Sequence, residues 1–248
     1  MRVIEIRVKA VIPAGGKGSR FKPYTDIVPK PLLPIGSSEK PLVRVIIEWL
    51  KKHGVQEAVL LVGYRWRYVK SLLGDGSHLG VRITYSVDDE KYHGTGGALL
   101  KAYLNGVIDG DLVLIWYGDI LAPLDPQDLV KTHLESKADA VLAVADRYKV
   151  PVGVAEIDEE WNVVELKEKP WLNLYVTIGI LTLNPSVLEK TVKELGTSFD
   201  IMGDLVPWMI KEGYRVKAYR YVGEWYDVGS LEKYMKLDED SIRDMIEQ

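Results

Sequence analysis

The chain has no cysteine among its 248 residues. That absence excludes disulfides, thiolate metal centres and cysteine nucleophiles. Histidine is scarce. The four, His53, His78, His93 and His133, lie far apart and form no HExxH-type pair, so a zinc site is not expected. Positive charge is not in excess either. A net charge of −4 gives no general basic field for nucleic acid, and any anion binding must come from a local cluster. No apolar run approaches the ~20 residues of a membrane span, and the amino-terminal MRVIEIRVKAV is too charged for a signal peptide. These absences lead us to expect a soluble, cytoplasmic protein. Phenylalanine occurs twice, against 14 Tyr and 7 Trp, and we read that aromatic set as core and rim rather than a stacking platform. The basic aromatic run YRWRYVK (Tyr64 to Lys70), in a chain of negative net charge, reads as a solvated helix face.

Apolar residues make up 47% of the chain, enough to bury one large core. KAVIPA, EAVLLVG, DLVLIWY and ADAVLAVA are short, nearly continuous apolar runs, the pattern of strands covered on both faces. Helical patterns alternate with them. In PLVRVIIEWLKKHG, Leu42, Val45, Ile46, Trp49 and Leu50 fall on one helical stripe; Pro41 suits the first turn and Gly54 the stop. TGGALLKAYL and PQDLVKTHLESK read as further helices. This alternation predicts an α/β fold, a Rossmann-like and mostly parallel sheet flanked by helices. After Asp146 the segments VPVGVAEID, NVVELKEKP and NLYVTIGILTLN read as strands with mixed faces. Helices over Pro185–Leu195 and Phe199–Glu212 and a strand over Tyr214–Val222 follow. With no linker or repeat, residues 1–248 are expected to form a single domain. Its nucleotide-binding half covers about 8–146, a second half of mixed strands that decorates the sheet covers about 147–229, and a helical tail covers 230–248.

The stretch PAGGKGSRFKPYTDIVPKPLLPIG (Pro13 to Gly36) follows the first strand directly. In open α/β sheets ligands bind at the carboxyl ends of strands, which is where this stretch must lie. Gly15, Gly16 and Gly18 let backbone N–H groups approach a phosphate closely. Arg20 and Lys30 add fixed charge, and an arginine can grip two phosphate oxygens at once. Standard phosphate motifs do not fit: there is no GxxxxGK[ST], and Phe21 stands where a dinucleotide loop needs its third glycine.

GGKGSR, then Pro23-x-Thr25, then Pro29-Lys30-Pro31, resembles the signature of the sugar-phosphate nucleotidyltransferases. Four more segments match in order, GTGGAL (Gly94 to Leu99), GDI (Gly118 to Ile120), EKP (Glu168 to Pro170) and WYDVG (Trp225 to Gly229), so the likeness runs from about Lys9 to Gly229. It implies transfer of a nucleotidyl group from an NTP to a sugar 1-phosphate, with release of pyrophosphate. It also implies roles for residues. Ala14, Gly15, Gly16, Gly18, Gly94, Thr95 and Gly97 would bind the nucleotide. Arg20, Lys30 and Lys169 would carry the catalytic charge, and Gly153, Glu168 and Thr177 would meet the sugar. Asp119 and Asp227 would hold Mg2+. Two departures stand out: Tyr117 and Thr177 occupy places where the family often has Asn.

Taken alone, several of these residues have plainer readings. Asp119 could be a turn aspartate, Asp227 an N-cap for SLEKYMKL, Glu168–Lys169 an exposed ion pair and Gly153 an ordinary strand glycine. The resemblance, not the spacing, pairs the two aspartates. The bare glycines of GTGGAL favour a purine, and the segment is closest in look to mannose-1-phosphate guanylyltransferases. GDP-mannose-type chemistry is therefore the expectation, with UTP or dTTP and glucose 1-phosphate, or a non-catalytic nucleotide-sugar-binding regulator, as alternatives. A further catalytic domain after Gly229 is not expected. The expected partners are the NTP and the sugar 1-phosphate; self-association into a homo-oligomer is left open, and neither nucleic acid nor membrane is expected.

Overall fold

Val8–Pro13 (β1) is buried on both faces, with Ala10 and Ile12 facing one core and Val11 the other. The computed structural model describes residues 6–247. Residues 1–5 of the charged amino-terminal segment, and Gln248, lie outside the described residues. The chain continues through a small ribbon, β2 (Pro34–Ile35) and β3 (Lys40–Pro41), then α1 (Leu42–Lys52), β4 (Glu57–Val62), α2 (Trp66–Leu73), β5 (Arg82–Val87) and α3 (Gly94–Leu104). Next come β6 (Leu112–Trp116), β7 (Ile120–Leu121), α4 (Pro126–Ser136), β8 (Ala140–Ala145) and β9 (Tyr148–Lys149). After these run β10 (Gly153–Ile157), β11 (Val163–Glu168), β12 (Trp171–Leu172), β13 (Val176–Leu183) and α5 (Leu188–Glu194). The last elements are α6 (Val206–Lys211), β14 (Val216–Tyr221), β15 (Tyr226–Asp227), α7 (Leu231–Met235) and α8 (Arg243–Ile246).

Seven strands form the central sheet in the order β14-β8-β13-β6-β1-β4-β5, all parallel except β13. Helix α1 lays Leu42, Val45, Ile46 and Leu50 on one face of it, and α3 lays Leu99, Leu100 and Ala102 on the other. Pro41 is extended and sits just before α1 rather than inside its first turn. Gly54 ends the helix as expected, at φ 87°, with its N–H donating to the Lys51 carbonyl at 3.0 Å.

Three elements differ from the sequence reading. NLYVTIGILTLN does not decorate the sheet, because β13 lies inside it between β8 and β6. Its mixed look has two causes. Thr182 is fully buried but bonded to His133 Nδ1 at 2.9 Å, and Gly179, at φ 76°, occupies a break in the β13–β8 register. Strand β5 leaves only a weak pattern, because it is the sheet edge and the alternation begun by exposed Arg82 and Thr84 fades at half-buried Tyr85 and buried Ser86. The expected helix from Phe199 begins as a π turn at Ile201–Leu205 before α6, and residues 197–200 pack across the start of α3 instead.

Candidate active site

The loop after β1 is fixed by its own backbone. The Ala14 N–H donates to the Leu61 carbonyl at 2.8 Å, and the Gly15 carbonyl accepts from the Tyr64 N–H at 3.0 Å. A Cβ on Gly15 would lie 2.7 Å from Asp88 Oδ2 and 3.1 Å from the Gly63 nitrogen, so a side chain there would push Asp88 aside. Gly18 is left-handed (φ 63°), and its carbonyl accepts from the buried Thr25 hydroxyl at 2.9 Å. Gly16, by contrast, has nothing within 4 Å of a notional Cβ. Its backbone is open to a ligand. Arg20 stands exposed on the 3-10 turn Ser19–Phe21, with no ion-pair partner among the described residues.

A cavity of about 300 Å³ opens beside this loop, lined among others by Gly15, Gly16, Lys17, Asp88, Thr95 and Asp200. Gly94 and Ala98 also border it. A larger hollow of about 550 Å³ lies at the amino ends of β8 and β14, beside Asp139 and Tyr214, and none of the motif residues lines it. The smaller cavity is the one at the carboxyl edge of the sheet, beside the glycine loop.

The glycines of GTGGAL do not make room for a base. A Cβ on Gly94 would lie 2.4 Å from the Phe199 carbonyl oxygen, one on Gly96 2.2 Å from the Phe199 ring, and one on Gly97 2.5 Å from the Thr197 carbonyl oxygen. The chain's own 197–200 segment fills that space. Gly97 therefore faces protein rather than the cavity, and the expectation that these glycines accommodate a purine is corrected. Thr95 is the knot of the contact. Its N–H and hydroxyl both donate to Asp200 Oδ1, at 2.9 and 3.0 Å, and its hydroxyl oxygen accepts from the Ile201 N–H. The Tyr117 hydroxyl reaches the same oxygen at 3.4 Å, so Tyr117 braces Thr95.

Asp119 follows Gly118 at the end of β6. A Cβ on Gly118 would be 2.7 Å from the Pro13 carbonyl oxygen, so glycine lets the ends of β1 and β6 close together. Ribbon β7–β15 then pairs Ile120 with Asp227, and the Val228 N–H donates to the Asp119 carbonyl at 2.8 Å. Backbone pairing thus sets Asp119 and Asp227 on neighbouring segments, and Ser230, not Asp227, caps α7. Each carries a lysine. Lys30 Nζ is 2.7 Å from Asp119 Oδ2, and Lys233 Nζ bonds Asp227 Oδ2. No group of three or more His, Cys, Asp or Glu suited to a metal occurs among the described residues. Two carboxylates fit Mg2+ chemistry nonetheless, since that ion usually takes one or two protein carboxylates and completes its shell with phosphate and water.

Gly153 pairs with Glu168 across β10–β11, and a Cβ on it would lie 3.2 Å from Glu168 Oε2. Glu168 and Lys169 stand exposed, 3.4 Å apart, with Lys169 held in a left-handed conformation (φ 48°). A bond from Lys236 and, more weakly, the field of Lys169 hold the Glu232 carboxyl below its usual range. Thr177 is exposed at the start of β13, opposite Val144.

Sequence reasoning missed Asp88, Asp200 and Lys233. Asp88 lies one residue past the unread edge strand. Its carboxylate rests against Gly15 and Gly63 and has no hydrogen-bond partner among the described residues. Burial pushes its carboxyl above the ordinary range, with Lys101 opposing.

A mostly parallel α/β sheet with a glycine loop and the exposed Arg20 at its carboxyl edge has the layout in which open α/β sheets bind ligands. The chain matches the nucleotidyl transferase family over residues 9–243 and belongs to it. It is 31% identical over 242 residues to the UTP–glucose-1-phosphate uridylyltransferase of Synechocystis, covering 92% of this chain and 61% of that one. It is 28% identical to the D-glycero-alpha-D-manno-heptose 1-phosphate guanylyltransferase of Aneurinibacillus thermoaerophilus, over 92% of this chain and 96% of that one. A Bacillus anthracis structure assigned as a glucose-1-phosphate thymidylyltransferase superposes with a TM-score of 0.74 at 26% identity, covering 92% and 93% of the two chains. The chain thus spans less than two thirds of the Synechocystis relative. Among the described residues no helix is long and apolar enough to cross a membrane.

Proposed function

We propose that the protein transfers a nucleotidyl group from an NTP to a sugar 1-phosphate, giving an NDP-sugar and pyrophosphate. The observation that carries the reading is the β7–β15 pairing that sets Asp119 and Asp227 on neighbouring segments, each carboxylate held by a lysine. An oxygen of the sugar phosphate attacks the α-phosphorus in line. One P–O bond forms, the α–β bridging P–O bond breaks, and no proton is transferred, because the nucleophile is already an anion. What remains for the protein is to bring two polyanions together and stabilise the transition-state charge. The open backbone at Gly16, with Arg20, grips the triphosphate and the departing pyrophosphate. Lys30 sits over the α-phosphate, and Lys169 holds the incoming phosphate while Glu168 accepts from sugar hydroxyls. Asp119 and Asp227 would hold Mg2+, which neutralises phosphate charge when bound.

GTP is the substrate this cavity suits best, and Asp88 supports that reading. A carboxylate only accepts hydrogen bonds. Guanine alone among the bases presents two adjacent donors, its ring N–H and its amino group. Uracil and thymine would bring carbonyl oxygens against the same carboxylate. The full-length guanylyltransferase relative points the same way, and a manno-configured sugar 1-phosphate is the matching acceptor. The test is competition among equimolar GTP, UTP, dTTP, CTP and ATP with mannose and glucose 1-phosphates, read by pyrophosphate release and product identity. A UDP- or dTDP-sugar as main product would reject the guanine reading alone. Absence of pyrophosphate with every pair would reject the reaction.

A further inference from the structure

The first turn of α7 is fixed by the Ser230 hydroxyl, which accepts from the Lys233 N–H at 3.4 Å. That turn sets the Lys233 ammonium on Asp227 Oδ2. The other oxygen, Oδ1, sits 2.6 Å from a notional Cβ on Gly229, where bare glycine leaves it room. The carboxylate is thus seated by a glycine on one side and a lysine on the other. Lys233 Nζ has no other partner among the described residues. The pair is open to solvent, with the Lys233 side chain 48% and that of Asp227 31% exposed. The Lys30–Asp119 pair is more enclosed, at 14% and 28%.

A carboxylate oxygen that takes a divalent cation cannot keep an ammonium against it as well, because the two cations repel. A metal on Asp119 and Asp227 therefore frees both lysines. Lys30 belongs to the loop after β1 and is left to the nucleotide. Lys233 belongs to the other segment, at the start of α7, and the remaining polyanion of the reaction is the sugar phosphate. Resting on the reaction proposed above, we propose that Lys233 changes partner. It holds Asp227 in place in the metal-free protein. When the metal takes that carboxylate, it binds the phosphate of the incoming sugar 1-phosphate alongside Lys169. No bond is made or broken, and each charge keeps a counter-charge throughout. The magnitudes allow the exchange. An exposed pair of this kind is weak, so displacing it costs a metal only about two- to five-fold in affinity, ~0.4–1 kcal/mol.

The test begins with Mn2+ binding to the full chain without substrates, read from the paramagnetic resonance of the unbound ion. Lys233→Met should bind Mn2+ about two- to five-fold more tightly than the native protein. Lys233→Arg, which keeps the charge, should match the native value and separates charge from packing if the Met variant melts early. Lys236→Met, which removes the same charge from the Glu232 side of α7, should also match it. In turnover with the preferred NTP, Lys233→Met should raise the KM for mannose 1-phosphate by about 10-fold and leave the KM for NTP within about two-fold. Tighter metal binding with a poorer sugar-phosphate KM is a pair of opposite changes that a merely structural lysine would not give. Unchanged or weaker Mn2+ binding in Lys233→Met overturns the proposal, as does an equal gain in Lys236→Met. So does a native KM for the sugar phosphate. If no NTP yields pyrophosphate, the reaction reading fails, and the Mn2+ comparison alone decides whether Lys233 is the displaced counter-ion.

Discussion

Replacing Asp88 by Asn changes one group and almost no volume. The carboxylate has no protein partner and lies against Gly15 and Gly63 at the cavity wall. In the Asn variant one of its two acceptors becomes an amide donor, which would face a donor on guanine. A hydrogen bond to a charged group is worth about 1.5–3 kcal/mol, so kcat/KM with GTP should fall about 10- to 150-fold at ~1.4 kcal/mol per decade. UTP should lose nothing and can gain, since an amide offers the donor and acceptor its edge requires. Acid gives a second reading. Guanine needs the ionised form, and burial raises the Asp88 pKa. GTP use should therefore be lost, as pH falls, above the value of about 3.9 at which an ordinary aspartate titrates, and the Asn variant should lack that limb. The same shift favours folding at low pH and is lost as pH rises through the raised pKa, so ionised Asp88 is a cost at neutral pH and Asp88→Asn should not lower Tm there. Unchanged kcat/KM with GTP in the variant would refute the argument.

Other outcomes follow from the same geometry. Asp119→Asn or Asp227→Asn should reduce turnover at least ~100-fold, the scale of one strong transition-state contact, and full activity in excess EDTA would overturn the metal role. Arg20→Ala should lower kcat/KM with Tm unchanged, and Arg20→Lys should recover only part, because a point charge replaces a fork; wild-type kinetics would make Arg20 a surface charge. Lys169→Ala should raise KM for the sugar phosphate, whereas Glu168→Ala should blur discrimination between epimers; a change confined to the KM for NTP would misplace the sugar. Gly96→Ala drives a methyl into the Phe199 ring at 2.2 Å and should cost about 1–3 kcal/mol in a thermal melt, while Gly16→Ala, facing open space, should be near neutral.

The sequence announces what periodicity and local chemistry can encode. Continuous apolar runs gave β1, β4, β6 and β8, and the stripe Leu42–Leu50 gave α1, because covered strands and one-sided helices leave distinct spacings. The turn after β1 was visible from its glycines. What failed depends on segments distant in the chain. Gly94, Gly96 and Gly97 looked like space for a base because nothing nearby says that residues 197–200 will occupy it. Asp88 follows an edge strand whose alternation is weak, and Lys233 looks like any helix-surface lysine until β15 sets Asp227 beneath it. The pairing of Asp119 with Asp227 came from resemblance; its physical basis, the β7–β15 ribbon, is two residues per strand and too short to leave a pattern.

That ribbon also sets a timetable for biosynthesis. Asp119 leaves the ribosome with the first half of the chain, but its partner and the strand that aligns them arrive about a hundred residues later. At ~5–20 residues per second the delay is roughly 5–20 s. Throughout that interval the loop after β1 can already fold on the β1–β4–β6 platform, while the β7–β15 pairing does not exist. On the proposed reaction, a nascent chain stalled before Tyr226 is expected to release no pyrophosphate.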